Sequence, residues 1–299
     1  MQGGSGLSGR REGADGRRWR ALQQALIVAT VYGLPVIFVL VPLLTFLVYS
    51  FFWVEGGAMH YSLSLQNYLR FFAGEAFFRV FWQTILLCLG VAAMATLVAY
   101  PVAYFLTGIK GRMKSTLVML ILVPLLMSYI IKIYALRSIL GANGLLNQLL
   151  MGLGLIDTPS SFFVFNLNAV MLTQLALLIP FAVLPILLSL ERIPRNLLEA
   201  STDLGAGGGQ TFLWVILPMS LPGVVAAATF VFVLAIGDFL TPQMVGGQAG
   251  FTFGRIVYSQ FGIAFNWPFG AALSVILMGV IVIAIVVGAR YGSSRRGTA

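Results

Sequence analysis

Long apolar segments separated by short polar ones dominate the chain. Crossing about 30 Å of hydrocarbon takes roughly 20 apolar residues in a helix, because every backbone amide must be bonded within its own segment. The segments that meet this condition are residues 22–53, 80–107, 115–135, 168–190, 215–240 and 268–289. The pattern therefore predicts an all-α, polytopic membrane protein with about six transmembrane helices.

Composition points to lipid as the solvent of this chain. Of its 299 residues, 59% are hydrophobic and 9% are charged. A soluble domain of this composition would expose mostly apolar surface and aggregate. The single cysteine, Cys88, and the single histidine, His60, are too few for a metal cluster or a catalytic triad. We therefore expect a non-catalytic protein without metal or cofactor.

The positive charge is distributed unevenly. The formal net charge is +9, and basic residues gather before the first span, after the second, after the fourth and after the sixth. Lys and Arg accumulate in cytoplasmic loops, so both termini are predicted to be cytoplasmic. Residues 1–21 are then a disordered basic tail, 22–290 the transmembrane domain and 291–299 a second tail. Topology accounts for the charge, and we expect no nucleic-acid partner.

The segment 141–168, predicted to be external, carries a stripe of leucines at helical spacing from Leu145 to Leu153. We expect it to lie along the membrane face. It is equally compatible with a connecting helix packed against the bundle and with a docking surface for an external partner.

The internal loop 191–218 contains a short predicted helix. Its apolar face comprises Leu197, Ala200, Ser201 and Leu204, and its acidic residues Glu199 and Asp203 lie four apart on another face. Asn196 is a candidate cap at its start, and Gly205 is predicted to end it. Because so short a helix has little stability of its own, its apolar face needs a surface to rest on, in this protein or in another.

The spacing in this loop resembles a known motif. Glu199-Ala200-Ser201, three residues, Gly205, nine residues, Val215, one residue and Leu217-Pro218 resemble the Glu-Ala-Ala loop of binding-protein-dependent ABC importer permeases. Ser201 and Val215 depart from the usual alanine and isoleucine. The run Gly207-Gly208-Gly209 is less expected, because consecutive glycines destabilise a helix. The loop is therefore either coupled more loosely to its partner in this protein, or it becomes ordered only on contact with that partner.

Several short sequence motifs along the chain resemble those of the polyamine (spermidine/putrescine) importer permeases. They include Gly237-Asp238-Phe239, Gly246-Gly247 and Asn266-Trp267-Pro268. The resemblance implies a type I ABC importer (MetI-like) permease fold in the cell inner (plasma) membrane. It also implies a heterodimer with a second permease subunit, a cytoplasmic ATPase dimer, an external solute-binding protein and a small cationic substrate.

The resemblance assigns coupling to the loop. The chain has no Gly-rich phosphate loop, so ATP must be hydrolysed by a partner. We expect the short helix to dock on that ATPase, with Glu199 available to pair with a basic residue there. The predicted coupling residues are Leu197, Glu199, Ala200, Ser201, Asp203, Leu204 and Gly205.

Two further sets of residues are candidates for transport. A carboxylate at membrane depth needs partners or a water-filled path, so Asp238, with the ring of Tyr134, is a candidate for contact with an ammonium group in the translocation path. Asp238 is equally compatible with capping a helix or pairing with Lys132 or Arg255. Pro218, Pro222 and Gly223 are candidates for a hinge near the coupling loop, or they set the angle at which the span enters.

Other cargoes and classes stay open at this stage. Neighbouring permease families handle opines, phosphonates or iron complexes, and the sequence does not select among these and a polyamine. A secondary transporter is the alternative from another class, but it would be expected to carry internal repeats, and none is apparent.

Overall fold

The computed structural model describes residues 29–293, together with residues 19, 23, 24 and 27. Apart from residue 19, the predicted tail 1–21 lies outside the described residues, as do positions 294–299 of the second tail. The fold is helical, with one small hairpin.

Helices follow one another along the chain with short connections. The α-helices are α1 (Leu34–Tyr49), α2 (Gln66–Ala73), α3 (Glu75–Gly108), α4 (Gly111–Leu126), α5 (Tyr129–Leu140), α6 (Leu145–Gly152), α7 (Leu167–Glu191), α8 (Arg195–Asp203), α9 (Gly208–Thr211), α10 (Leu217–Gly237), α11 (Leu240–Val245), α12 (Phe253–Gly262) and α13 (Trp267–Ser293). π-Helical segments, Ala29–Gly33 and Phe212–Ile216, run directly into α1 and α10. A 3₁₀ turn, Ser161–Phe163, precedes α7.

Within the described residues, five continuous helical stretches are long and apolar enough to cross a membrane. They are Ala29–Tyr49, Glu75–Gly108, Leu167–Glu191, Gly208–Gly237 and Trp267–Gly292. Five of the six predicted spans overlap them, with ends that shift by a few residues. The first span ends at Tyr49 rather than at residue 53, because Trp53 already belongs to a strand. The fifth ends at Gly237, since Leu240 begins the next helix.

The third predicted span, 115–135, is wrong as a continuous helix. α4 ends at Leu126, and the two residues that follow, Met127 and Ser128, are not helical. The chain resumes as a helix at Tyr129, and the segment 129–152 is bent by 97° from α4. Pro124 in the last turn of α4 lacks the N–H that the helix needs and so weakens it at this point. Residues 111–152 therefore form a broken span or a re-entrant loop.

The short antiparallel hairpin was not predicted. β1 (Trp53–Glu55) pairs with β2 (Ala58–His60) across Gly56-Gly57, which both have positive φ, as a tight two-residue hairpin turn requires. The Trp53 and His60 rings stack at 4.3 Å. We call this end of the bundle the hairpin end and the opposite end, which carries α8, the α8 end.

The core lies where α3, α7 and α10 meet. α3 presents small residues at helical spacing to this contact, and they are fully buried: Ala95, Ala99 and Ala103. Small side chains let helix backbones approach closely, which favours association in lipid, where no hydrophobic force drives helices together. In contrast, none of the described residues of α1 is buried, as expected for a helix facing lipid.

α7 and α10 pack tightly at Gly223. A Cβ atom added there would lie 2.2 Å from Ser189 Cβ and 2.8 Å from the Pro185 carbonyl oxygen. No side chain larger than hydrogen fits without moving one helix. Gly223, predicted as part of a hinge, therefore has a packing role in this structure.

Replacing Gly223 by alanine tests this packing. We expect Gly223→Ala to lower the free energy of unfolding by about 1–3 kcal/mol, because the added methyl overlaps Ser189. Thermal unfolding of the purified protein in detergent measures the change. Adding Ser189→Gly should restore part of the loss by removing the atom with which the methyl collides.

Gly279→Ala is the matched control. Gly279 lies inside α13, and outside the backbone of its own helix no atom comes within 4 Å of the position that its Cβ would take. We expect an unchanged or slightly higher unfolding temperature. Equal effects of the two alanine substitutions would contradict the packing role of Gly223.

Candidate functional site

The α8 helix is held by defined backbone signals at both ends. Pro194 precedes it with φ of −65°, and Asn196 lies in its first turn rather than at the cap, so the predicted cap at Asn196 is wrong. At the other end Gly205 has φ of +81°. Its N–H donates to the Thr202 carbonyl at 2.9 Å, and the Ala206 N–H donates to the Ser201 carbonyl at 3.1 Å. This pair of bonds closes a Schellman motif, so the helix ends at Gly205 as predicted.

The predicted apolar face of α8 is divided in the structure. Leu197, Ala200 and Leu204 are exposed, and Leu204 has 89% of its surface free. Ser201, by contrast, is 8% exposed and faces inward, so its assignment to the same face is wrong. Successive positions of a helix turn by 100°, and Ser201 lies far enough around to reach the bundle with Leu198.

A buried hydroxyl pair locks α8 to the next helical turn. Ser201 Oγ and Thr211 Oγ1 are 2.6 Å apart and both residues are buried. The Gly207 N–H donates to Gln210 Oε1 at 3.0 Å, and Gly208 and Gly209 are helical. The glycine run was predicted to be unfavourable for a helix. In the structure it begins α9, and the helical backbone continues from there through the π-helical segment into α10.

The acidic residues of α8 point away from the bundle. Glu199 and Asp203 are both exposed. Beside α8, a cavity of about 780 Å³ opens among the ends of α3, α4 and α7. Lys114 Nζ and Glu191 Oε1 pair at 2.7 Å on its wall and tie the start of α4 to the end of α7. The α8 end thus presents exposed leucine and acidic side chains, next to helices that the Lys114–Glu191 ion pair holds together.

Asp238 lies at the other end of α10 and is 9% exposed. Its Oδ2 accepts hydrogen bonds from Tyr129 Oη at 2.7 Å and from Gln174 Nε2 at 3.1 Å. Its Oδ1 accepts from the Thr241 backbone N–H, in the first turn of α11, at 3.0 Å. Asp238 is also the C-cap residue of α10. The alternative that Asp238 caps a helix is therefore present, but Lys132 and Arg255 form no ion pair with it among the described residues.

Open space lies directly beside this carboxylate. A cavity of about 380 Å³ is lined by Asp238 and Tyr129 at one side and by apolar side chains elsewhere. Its volume falls within the range of about 300–1,000 Å³ that is usual for small-molecule pockets. The cavity is therefore mostly apolar, and its polar lining residues are Asp238 and Tyr129.

Sequence reasoning did not find Tyr129 or Gln174 as partners of Asp238. Gln174 is a polar residue inside an apolar span, which is the signal that could have pointed to it. Tyr134 is 55% exposed on α5 and is not among the side chains bonded to Asp238. α10 continues through Pro222 without a break, and Pro218 lies in its first turn. The hinge stays a prediction.

Comparison with known proteins assigns the family. The sequence profile of the family described as "Binding-protein-dependent transport system inner membrane component" matches residues 100–296. This is about two thirds of the chain, including α8 and Asp238. The chain belongs to this family. It is a permease of the ABC importer type and a multi-pass inner membrane protein.

Relatives of the permease include polyamine transport proteins. It is 34% identical over 262 residues to "Spermidine/putrescine transport system permease protein PotB" of Escherichia coli, covering 86% of this chain and 94% of the relative. The Haemophilus influenzae protein of the same name is 31% identical over 263 residues, covering 87% and 91%. The resemblance to polyamine permeases predicted from the loop and the short motifs is thereby confirmed.

Solved structures confirm the fold. The permease superimposes on a chain of the bacterial alginate ABC transporter with a TM-score of 0.71 and 16% identity, covering 95% of this chain and 96% of that chain. A chain of the MetNI methionine ABC transporter gives a TM-score of 0.55 and 21% identity, covering 72% and 93%. The predicted type I ABC importer permease fold is confirmed.

The Ser201–Thr211 bond can be tested by hydrogen exchange. In the permease, Ser201→Ala leaves a buried Thr211 hydroxyl without its partner, which costs about 1 kcal/mol. We expect backbone amides of residues 195–206 to exchange about fivefold faster, measured by mass spectrometry. The double variant Ser201→Ala with Thr211→Val removes both hydroxyls and should return most of the protection. Unchanged exchange in the single variant would contradict the locking role.

Proposed function

We propose that this permease forms part of the translocation pathway of an importer for a polyamine such as spermidine or putrescine. The observation that carries the proposal is the 31–34% identity to PotB proteins along 86–87% of the chain. The proposed partners are a second permease subunit in a heterodimer, a cytoplasmic ATPase dimer and an external solute-binding protein. Energy comes from ATP hydrolysed by the ATPase.

The α8 helix is the proposed docking element for the ATPase. Leu197 and Leu204 are exposed in the structure. Because burial of large apolar side chains is the main source of stability in protein contacts, a partner that covers these leucines would be bound favourably. Glu199 is exposed beside them and is free to meet a basic residue. The apolar stripe with an adjacent carboxylate favours a partner with an apolar groove and a basic rim.

The charge of Asp238 beside the cavity of about 380 Å³ agrees with a cationic cargo. Asp238 is the acidic residue that lines it. A phosphonate or another anion would be repelled there, whereas a polyamine would be attracted. Tyr134 stays a prediction for the same path.

The topology can be tested by cysteine labelling. Cys88 is buried, so Cys88→Ala gives a background without native thiols. In that background we expect Leu204→Cys to react with a membrane-impermeant maleimide in inside-out vesicles and not in intact spheroplasts, since α8 is proposed to be cytoplasmic. Co-expression of the ATPase should reduce this labelling.

Glu55→Cys is the matched control at the hairpin end. Glu55 is exposed in β1, and we expect it to be labelled in intact spheroplasts. Labelling of Leu204→Cys from outside would place α8 on the wrong side for an ATPase and would overturn the proposed coupling.

Charge reversal at Glu199 tests the docking element. We expect Glu199→Lys to abolish uptake of labelled spermidine in cells that express the complete transporter, because a lysine would face the basic rim of the partner. The amount of permease in the membrane should be unchanged, and less ATPase should co-purify with it.

Glu55→Lys carries the same charge change away from α8 and should transport normally. Uptake at the wild-type rate by Glu199→Lys would remove the proposed role of Glu199. Failure of the wild-type complex to take up any polyamine would instead refute the proposed substrate.

A further inference from the structure

The negative charge of Asp238 is balanced by neutral groups. Its hydrogen bonds come from a phenol, a carboxamide and a backbone amide, none of which carries a positive charge. Removing a carboxylate from water is costly, and dipoles compensate for only part of the cost. A cation at this carboxylate would therefore be stabilised strongly.

The two basic side chains predicted as possible partners of Asp238 make other contacts. Lys132 Nζ lies 5.5 Å from the centroid of the Tyr129 ring, in a cation–π contact. The Arg255 guanidinium donates to the Gly247 carbonyl and lies 4.2 Å from the centroid of the Phe251 ring. Within the part of the chain that the structure describes, neither is paired with Asp238.

Gln174 contributes an acceptor that has no partner. The residue is 1% exposed, and its Nε2 donates to both the Ala235 carbonyl at 3.2 Å and Asp238 Oδ2 at 3.1 Å. Both partners can only accept, which fixes the nitrogen toward them and the Oε1 away from them. Oε1 is buried without a hydrogen bond among the described residues. Gln174 does not itself line the cavity, so its part is to orient the carboxylate from behind.

The adjoining cavity suits a short methylene chain. Its apolar walls are formed by Leu178, Phe181, Val233, Leu234 and Phe239. Aromatic rings such as those of Phe181 and Phe239 attract alkylammonium groups, and the aliphatic side chains favour the methylenes of a chain between them. The Phe239 ring is itself held by stacking on Tyr258 at 4.7 Å.

We propose that this cavity is a binding site inside the permease for one primary ammonium group and its adjoining methylenes, with Asp238 as the anion. The inference rests on the proposed function that the cargo is a polyamine, and it adds where and how the permease contacts it. Tyr129 and Gln174 are positioning residues that hold the carboxylate toward the cavity. Putrescine and spermidine share the feature that the site recognises, so it admits both.

The test uses the complete transporter in proteoliposomes with the binding protein, labelled putrescine and ATP. Asp238→Asn keeps the shape, and its oxygen can still accept the Thr241 N–H, but its amide nitrogen then faces the Gln174 Nε2 donor and that hydrogen bond is lost. The substitution removes the charge, so we expect uptake at low putrescine concentration to fall at least about tenfold. Stimulation of the ATPase by the loaded binding protein should persist. Unchanged uptake in this variant overturns the proposal.

Phe181→Leu keeps the test decisive if Asp238→Asn fails to assemble. Phe181 lines the cavity and contacts the Phe230 ring at 5.9 Å, whereas Phe230 does not line the cavity. We expect Phe181→Leu to lower putrescine uptake severalfold with ATPase stimulation intact, and the control Phe230→Leu to transport normally. Equal uptake by the two phenylalanine variants and the wild type overturns the site.

The two proposals fail in different ways. If the wild-type transporter imports no polyamine, the proposed function is wrong. If it imports putrescine and spermidine, but neither Asp238→Asn nor Phe181→Leu changes the rate, the function stands and the ammonium site is wrong.

Discussion

The close packing of α7 on α10 is the constraint on which the rest of the structure depends. Near the α8 end, Gly223 of α10 lies against Pro185 and Ser189 of α7 without space for a methyl group. Near the hairpin end, the Gln174 side chain of α7 bonds both Ala235 and Asp238. Lipid gives no hydrophobic force between helices, so fit and hydrogen bonds of this kind are what hold such a pair together.

The broken span is tolerated because side chains on both of its halves are bonded to α7 or to the end of α10. Irregular backbone at membrane depth survives only where protein or a water-filled cavity covers it. Tyr129 follows the break directly and donates to Asp238, and Lys114 at the start of α4 pairs with Glu191 at the end of α7. Both halves of the broken span are therefore tied to the α7–α10 pair.

Local features of the fold were predictable from sequence, and long-range ones were not. The continuous spans follow from hydropathy, and the end of α8 follows from Gly205, because both signals reside in adjacent residues. The break after Leu126 was missed, since an apolar run reads the same whether it is straight or bent. Ser201 was assigned to the wrong face because its partner Thr211 lies beyond the glycine run. The site around Asp238 needed Tyr129 and Gln174, which lie 109 and 64 residues away and have no local signature.

The same packing sets how the two ends of the bundle can communicate. α8 joins the end of α7 to the start of α10, so a force on α8 acts on both helices at once. Sliding one helix along the other would drive Ser189 into the α10 backbone, because a Cβ at Gly223 would already lie 2.2 Å from it. Packed interfaces move between discrete arrangements rather than deforming continuously. If an ATPase docks on α8 as proposed, we expect the pair to respond as one body, with Gln174 and Asp238 carried together. The bond from Gln174 to the carboxylate would persist in such a movement, whereas the donors from Tyr129 and from the Thr241 N–H lie on α5 and α11, outside the pair.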